Sequence, residues 1–327
     1  MRCLTERCGG LDPKNFANKR RTLWSAAFFV ASCYVYAQAA EPPEGQFKVC
    51  SYNLRNWLTM ERGAGPSAKT TSKPEKEKEH IVHFLTEIAP AVLGVCEIGT
   101  EDDLEDLRQR LAKAGLEYPY TVFTHGGDPE RRLALLSQFP VVAENSQTGL
   151  TYQLGDLRLA FKRGILDATL QVTPGFQLHL VGVHLKSKRE EAEADQALMR
   201  RNEAHLLREH LDRLLTAHPE EKVLLYGDFN EDPKEAAIEE IQGNRATPAL
   251  LMHGMVPHDD NGELWTHFWD LHDLYSRLDY FFVSAALKPF VSDRSAFVYT
   301  ARDFYQGSDH RPIVVTVDPS AAKKRRR

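Results

Sequence analysis

Short apolar runs that stop abruptly at a polar side chain recur along this chain, and they restrict its fold more than any other feature. KVCSYNL leads to Asn53, AVLGVCE ends at Glu97, LVGVH at His184 and LLYGD at Asp228, with Asn230 two residues further on. RLDYFFV opens around Asp279, and GSDHRP sets Asp309 and His310 just before the last run. A polar group at the mouth of a buried strand costs free energy unless it is solvated or paired. Several such groups are compatible with one fold when the strand ends meet at a common edge and compensate each other there.

The rest of the pattern agrees with stacked sheets. Alternation over residues 47–54 and a continuous apolar run over 91–97 predict strands. Between them, residues 74–89 place Ile81, Phe84, Leu85 and Ile88 on one helical stripe, and Thr100 caps a second helix reaching about residue 114. Strands are then expected at 118–124, 133–137, 141–144, 158–161, 165–172 and 177–184, several joined by short Gly or Pro turns that favour antiparallel pairing. A helix over 190–217 carries Ala194, Ala197, Leu198, Ala204, Leu207, Leu211 and Leu214. Strands at 223–226, 278–283, 297–300 and 312–317 complete the set. With no linker, repeat or low-complexity block between residues 45 and 318, the chain reads as one domain, an α/β sandwich of sheets covered by helices.

The first 39 residues differ in kind. Lys19-Arg20-Arg21 precede an apolar stretch, Leu23 to Ala37, and Ala37-Gln38-Ala39 has the small-x-small form of a cleavage site. This predicts a signal peptide over 1–39 and a secreted or periplasmic protein; a retained anchor is the alternative, and the stretch is short for a span. Residues 40–318 form the expected domain. Residues 319–327 include Lys323-Lys324-Arg325-Arg326-Arg327 and read as a disordered basic tail.

Removing residues 1–39 takes away six of the 41 basic and two of the 46 acidic residues, so the remaining chain carries a net charge of −9. That acidity opposes unspecific binding to a nucleic-acid backbone unless a metal or a local basic groove offsets it. Lys186, Lys188 and Arg189, with Arg131 and Arg132, are candidates for such a groove. Only Cys50 and Cys96 remain, too few to staple the domain, so its core must stabilise it. Their odd offsets from Asn53 and Glu97 point both thiols away from the site, buried and unbridged.

Singly, each strand-end residue has an ordinary reading. Asn53 could cap a turn, Glu97 could face a helix N-terminus, and Asp228 with Asn230 could form an Asx turn into a helix capped by Asp232 with Pro233 at its first position. Together, and in this order, they resemble the endonuclease/exonuclease/phosphatase (deoxyribonuclease-I-like) superfamily. The likeness rests on Tyr52-Asn53, Glu97, Leu136-Ser137 with Phe139-Pro140, His184-Leu185-Lys186-Ser187, Gly227-Asp228-Phe229-Asn230, Arg277-Leu278-Asp279-Tyr280 and Ser308-Asp309-His310-Arg311-Pro312. It spans residues 47–317.

The resemblance implies a four-layer α/β/β/α sandwich of two packed, mostly antiparallel sheets flanked by helices, and a metal-dependent hydrolase of phosphate esters. By that resemblance Glu97 is the main ligand of Mg²⁺ or Mn²⁺ and Asp309 the second contact; an oxygen-rich set without clustered Cys or His suits such hard ions. Asp228 would orient and deprotonate the attacking water. His310, held by Asp279, would contact the phosphate and exchange a proton. His184 would help the phosphate or the leaving group, and Asn53 and Asn230 would donate to phosphoryl oxygens. Arg55 stands where many family nucleases have a carboxylate, and strand parity puts it on the side of Asn53, within reach of the substrate phosphate with Lys186. The expected substrate is a phosphodiester, DNA or RNA first. The alternatives are a phosphatase, a sphingomyelinase-type phospholipase, and more remotely an inactive binding module. A lipid-active enzyme should expose an apolar hairpin, for which Trp57-Leu58 and Leu264-Trp265 are the candidates. No stable protein partner is expected, and the chain reads as a monomer.

Overall fold

The computed structural model describes residues 45–63 and 65–321. The expected signal segment and residues 322–327 of the expected tail lie outside the described residues.

Two six-stranded sheets carry the fold. The first has the order Ala296–Val298, Ile313–Val317, Phe47–Trp57, Val92–Ile98, Arg132–Ser137, Tyr120–Thr124. The second has the order Met252–Gly254, Asp279–Ser284, Val223–Asp228, Phe176–His184, Ile165–Thr173, Val141–Glu144. Each contains one central parallel pair: Phe47–Trp57 beside Val92–Ile98, and Phe176–His184 beside Val223–Asp228. The other neighbours within the two sheets are antiparallel.

A parallel pair needs a crossover, and helices supply both. Helices α1 (Glu75–Ile88) and α2 (Glu101–Lys113) pack on the first sheet, while α3 (Gln196–Ala217) and α4 (Ala236–Gln242) pack on the second. Thr100 caps α2 as expected: its hydroxyl accepts from Asp103 N and its own N–H donates to the Asp103 carboxylate at 2.8 Å.

Because successive strand residues face opposite sides, each sheet feeds two cores. Between the sheets, Val49, Val92 and Leu135 meet Leu180, Leu224 and Phe281. On the outer face of the first sheet, Cys50, Tyr52 and Leu93 meet Ile81, Leu85, Leu107 and Leu111. On the outer face of the second, Val181, Val183 and Leu225 meet Leu207, Leu211 and Ile241. These three cores between four layers make the α/β/β/α sandwich, each buried aliphatic side chain contributing about 1.5–3 kcal/mol. Tyr226 crosses the inter-sheet space into room left by two glycines; a Cβ on Gly94 would lie 2.0 Å from its ring, and one on Gly182 2.7 Å from its hydroxyl. Cys50 and Cys96 are buried free thiols in different cores.

Some expectations are corrected. The helix expected from residue 190 starts at Gln196, where the Asp195 carboxylate accepts from Leu198 N at 2.9 Å; residues 190–195 have no apolar stripe to dock. The helix expected at 232–233 starts at Ala236 instead. Lys188 engages the Asp232 side chain, and Lys234 adopts φ 74°, so this segment is a turn. A short hairpin, His267–Trp269 with Leu274–Ser276, is added beside the site.

The topology collects the strand ends. Both parallel pairs carry their C-terminal ends, with Asn53, Glu97, His184 and Asp228, to the sandwich edge. Asp279 starts a strand antiparallel to Val223–Asp228 and pairs with Asp228 itself. Ser51 pairs with Ile313, which brings Asp309 and His310 beside Asn53.

Candidate active site

Asp228 is the hub of this edge. Gly227 precedes it at φ 141°, where a Cβ would lie 1.9 Å from Val183 O, so glycine lets the two strands close at their ends. One carboxylate oxygen of Asp228, Oδ1, accepts from Asn230 N at 2.9 Å. The other, Oδ2, accepts from Asn53 Nδ2 at 3.0 Å and faces His184 Nε2 at 3.5 Å and His310 Nε2 at 3.6 Å. On its far side His310 Nδ1 meets Asp279 Oδ2 at 2.8 Å. Thr266 Oγ1 in turn accepts from Asp279 N at 3.0 Å. Ser308 Oγ donates to Asn53 O at 2.7 Å and accepts from His310 N at 3.1 Å, tying the two segments.

All of these side chains are buried, and burial sets their protonation. It raises the Asp228 pKa; the charge on His310 and the bonds from Asn230 and Asn53 oppose the rise, while Asp279 reinforces it. Burial alone would lower His310, but Asp279 and Asp228 outweigh it and hold the ring above its ordinary value. His184 is pushed well below its ordinary value by burial and by the charges of Arg163, His310 and Arg131, so it is a neutral imidazole.

Glu97 sits apart from this hub. It is half-buried, at φ 62°, where the ladder to the Arg132–Ser137 strand shifts register. A left-handed non-glycine costs about 1–3 kcal/mol, and it breaks the regular strand at the residue that carries this carboxylate. Oε2 accepts from Asn56 N at 2.9 Å, which leaves Oε1 without a hydrogen bond among the described residues. Asp309 carries Arg55 Nε 3.5 Å from Oδ2.

The parity expected for Arg55 fails. Arg55 and Asn56 take φ 48° and 61°, and pairing is irregular between Asn53 and Trp57. The guanidinium lies beside Asp309 and 4.8 Å from the centre of the Tyr305 ring. Lys186 is not at the hub either. Its buried ammonium donates to Ser187 O and Arg189 O at 2.9 Å each and pairs with Glu191 at 3.4 Å. Lys188 is paired with Asp232 and Arg132 with backbone carbonyls, so much of the expected basic rim is already occupied.

Two site neighbours escaped the sequence reading. Arg163 is buried, with Nη2 3.2 Å from Asp128 Oδ2 and with Nε and Nη1 lacking a hydrogen-bond partner among the described residues. The KRG triplet before an apolar run is a faint signal for it. The His267 ring lies tilted with its centre 4.7 Å from that of His310 and is lowered to about 4 by burial and the His310 charge; WTHF carries no hint of this.

The family model described as Endonuclease/Exonuclease/phosphatase family matches residues 53–310, well over half of the chain and all of the residues just described. The chain belongs to the endonuclease/exonuclease/phosphatase family. A sequence search of curated proteins finds no match. Among solved structures, the human Nocturnin catalytic domain with bound sulfate is similar at TM-score 0.58 and 19% identity, covering 83% of this chain and 93% of that one. A Staphylococcus aureus beta-toxin variant with bound magnesium ions is similar at 0.57 and 16% identity, covering 84% and 99%. Sphingomyelinase C from Streptomyces griseocarneus is similar at 0.52 and 18%, covering 84% and 99%. At these identities the likeness is one of fold.

Endonuclease/exonuclease/phosphatase enzymes depend on a metal, and two groups here could hold one. Donor atoms of Asp228, Asp279 and His310 lie within 4.8 Å of each other. The His310 ring, though, is held protonated between the two carboxylates and offers no lone pair. Glu97, with one oxygen free of hydrogen bonds among the described residues, and Asp309 are all-oxygen donors of the kind a hard divalent ion takes. By the chemistry of their donors, Glu97 and Asp309 fit a Mg²⁺- or Mn²⁺-type ion.

Proposed function

We propose that this family member is a metal-dependent phosphodiesterase that hydrolyses nucleic acid by in-line attack of water. The observation that carries the reading is the Asp228 carboxylate, held by Asn53 and Asn230 and flanked at 3.5 and 3.6 Å by two imidazoles. A buried carboxylate with a raised pKa is a better base than an exposed one, so Asp228 takes the proton of the attacking water. His310, protonated and aligned by Asp279, gives a proton to the phosphoryl or leaving oxygen. His184, neutral, donates a hydrogen bond. The carboxamides of Asn53 and Asn230 each have a second N–H for the phosphoryl oxygens. Glu97 and Asp309 would hold the divalent ion, which supplies charge neutralisation at the phosphoryl group.

Arg55, Arg131 and Arg163 lie around the hub, each beside a carboxylate (Asp309, Glu130 and Asp128), and a divalent ion adds the positive charge a polyanion needs on this acidic body. Export follows from the signal pattern in residues 1–39.

A second reading has its own support. Trp57 and Leu58 are buried and therefore do not form a lipid-facing hairpin, but Trp269, Leu271, Leu274 and Tyr275 are exposed on the hairpin whose Phe268 N donates to Asp309 O at 2.9 Å. Leu271 is 82% exposed at the tip. An apolar tip beside the site favours a lipid phosphodiester such as sphingomyelin. Purified residues 40–327 are incubated with plasmid DNA, RNA, sphingomyelin vesicles and bis(4-nitrophenyl) phosphate, with Mg²⁺ or with EDTA. Metal-dependent cleavage of DNA or RNA supports the first reading; cleavage of sphingomyelin alone replaces it with the second; no turnover of any ester refutes both.

A further inference from the structure

Behind the site, the N-terminal half of α3 buries two charges, Arg200 and Glu203, that its packing does not call for. The core-facing stripe of α3 is Ala204, Leu207, Leu211 and Leu215, yet Glu203, next to Ala204, is 0% exposed and Arg200, one turn before Ala204, 2%. Burying an ion costs several kcal/mol before any compensation. Among the described residues, Glu203 has no hydrogen bond to a side-chain cation. Its Oε1 accepts from Lys162 N at 2.8 Å, and its Oε2 accepts from Lys186 N at 2.6 Å. Arg200, three residues earlier on the same face, donates from Nη1 to Lys186 O at 3.2 Å and from Nε to Glu231 Oε2 at 2.7 Å. Glu231 O in turn accepts from Tyr280 OH at 2.8 Å.

The places where this brace ends are adjacent to the site. Lys162 precedes Arg163, Lys186 lies two residues after His184, Glu231 follows Asn230, and Tyr280 follows Asp279. The segments at Lys162 and Lys186 have left their strands, so their amide N–H groups need acceptors from elsewhere. A carboxylate offers two acceptor oxygens at once, which an amide or hydroxyl cannot.

We propose that Glu203 is a positioning residue of the active site: its carboxylate clamps the Lys162 and Lys186 amides, which holds His184 in place beside Asp228 and Arg163 in place near His184, and Arg200 extends the clamp to the Asn230 loop. The proposal rests on His184 acting in hydrolysis. Burial holds the Glu203 carboxyl up to about 7 against the pull of the two amides, Arg163 and Lys186. The chain thus keeps an acceptor pair where an anion is disfavoured.

Glu203→Gln keeps the size but sets an NH2 group against one amide. Turnover of bis(4-nitrophenyl) phosphate with Mg²⁺ is compared in the wild type, Glu203→Gln, His184→Ala and the double variant. The clamp predicts that Glu203→Gln lowers kcat at least tenfold, moves KM less than threefold, and has less than a threefold effect in the His184→Ala background, since one misplaced group cannot be lost twice. An unchanged kcat in Glu203→Gln, or equal losses in both backgrounds, overturns it. If His184→Ala alone turns over like the wild type, the role given to His184 fails and takes the clamp with it, a failure distinct from an additive cycle. Should Glu203→Gln not fold, hydrogen exchange in the wild type decides. The Lys162 and Lys186 amides must then be protected as strongly as those of the neighbouring strands, and exchange at the rate of exposed loops refutes the clamp.

Discussion

His310 Nδ1 lies 2.8 Å from Asp279 Oδ2, while Nε2 of the same ring faces Asp228 Oδ2 at 3.6 Å. One imidazole thus links two buried carboxylates, and Asp279 fixes both its orientation and its charge. Asp279→Asn removes the charge that keeps the ring protonated. Positioned acid–base groups are worth about 10²–10⁴ in rate, so kcat should fall by a factor in that range while the Mg²⁺ concentration for half-maximal activity changes little. Steady-state assays over a Mg²⁺ titration check both.

The complementary expectation falls on Glu97. A contact to a charged group is worth about 1.5–3 kcal/mol, which is about ten- to a hundredfold in affinity. Glu97→Gln should raise the half-saturating Mg²⁺ concentration by that factor, read by calorimetry without any substrate. An unchanged affinity would move the metal to the Asp228, Asp279 and His310 group.

The inter-sheet packing gives a prediction independent of chemistry. A Cβ on Gly94 would lie 2.0 Å from the Tyr226 ring, and overpacking of this sort costs about 1–3 kcal/mol. Gly94→Ala should lose stability in that range in urea unfolding. Added to Tyr226→Leu, it should cost much less than alone.

Much of the site was legible because a polar side chain interrupting a short apolar strand is a rare sequence event. Asn53, Glu97, His184, Asp228, Asp279 and His310 are such interruptions; parallel pairing brings the first four to one edge as strand ends, and antiparallel pairing brings Asp279 and His310 there at strand starts. Arg55 was misplaced because period-two reasoning assumes an extended chain, and two successive left-handed residues end that period just after Asn53. Lys186 was misassigned because its ammonium is taken by carbonyls of its own loop, which composition does not reveal. Arg163 and the Glu203–Arg200 pair went unread since their partners are backbone atoms or distant loops. The strands of the apolar hairpin are three residues each, too short for alternation to show.

A buried network far from the site should set part of the pH dependence of stability. Asp167 accepts from His179 and His210 at 2.8 and 2.7 Å. Burial would raise the Asp167 pKa, yet the two histidines lower it to about 2. Burial would lower His179, yet Asp167 and Glu221 raise it to about 9. The depressed Asp167 contributes fully above its unfolded value of about 3.9, and this is lost as pH falls toward 2. The raised His179 contributes fully below its unfolded value of about 6.5, and this is lost as pH rises through 9. The stability difference between wild type and Asp167→Asn should therefore be greatest between about pH 4 and 6.5 and shrink on either side. Melting temperatures measured from pH 3 to 9.5 check this.

If Asp228 is the base of a metal-dependent phosphodiester hydrolysis, replacing its carboxylate by a carboxamide removes the base alone. Asp228→Asn keeps the shape of the hub and leaves Glu97 and Asp309 untouched. Turnover of bis(4-nitrophenyl) phosphate at saturating Mg²⁺ should fall by about 10²–10⁴, with Mg²⁺ binding and melting temperature near those of the wild type. Turnover within threefold of the wild type in a folded, Mg²⁺-binding Asp228→Asn protein would contradict the account.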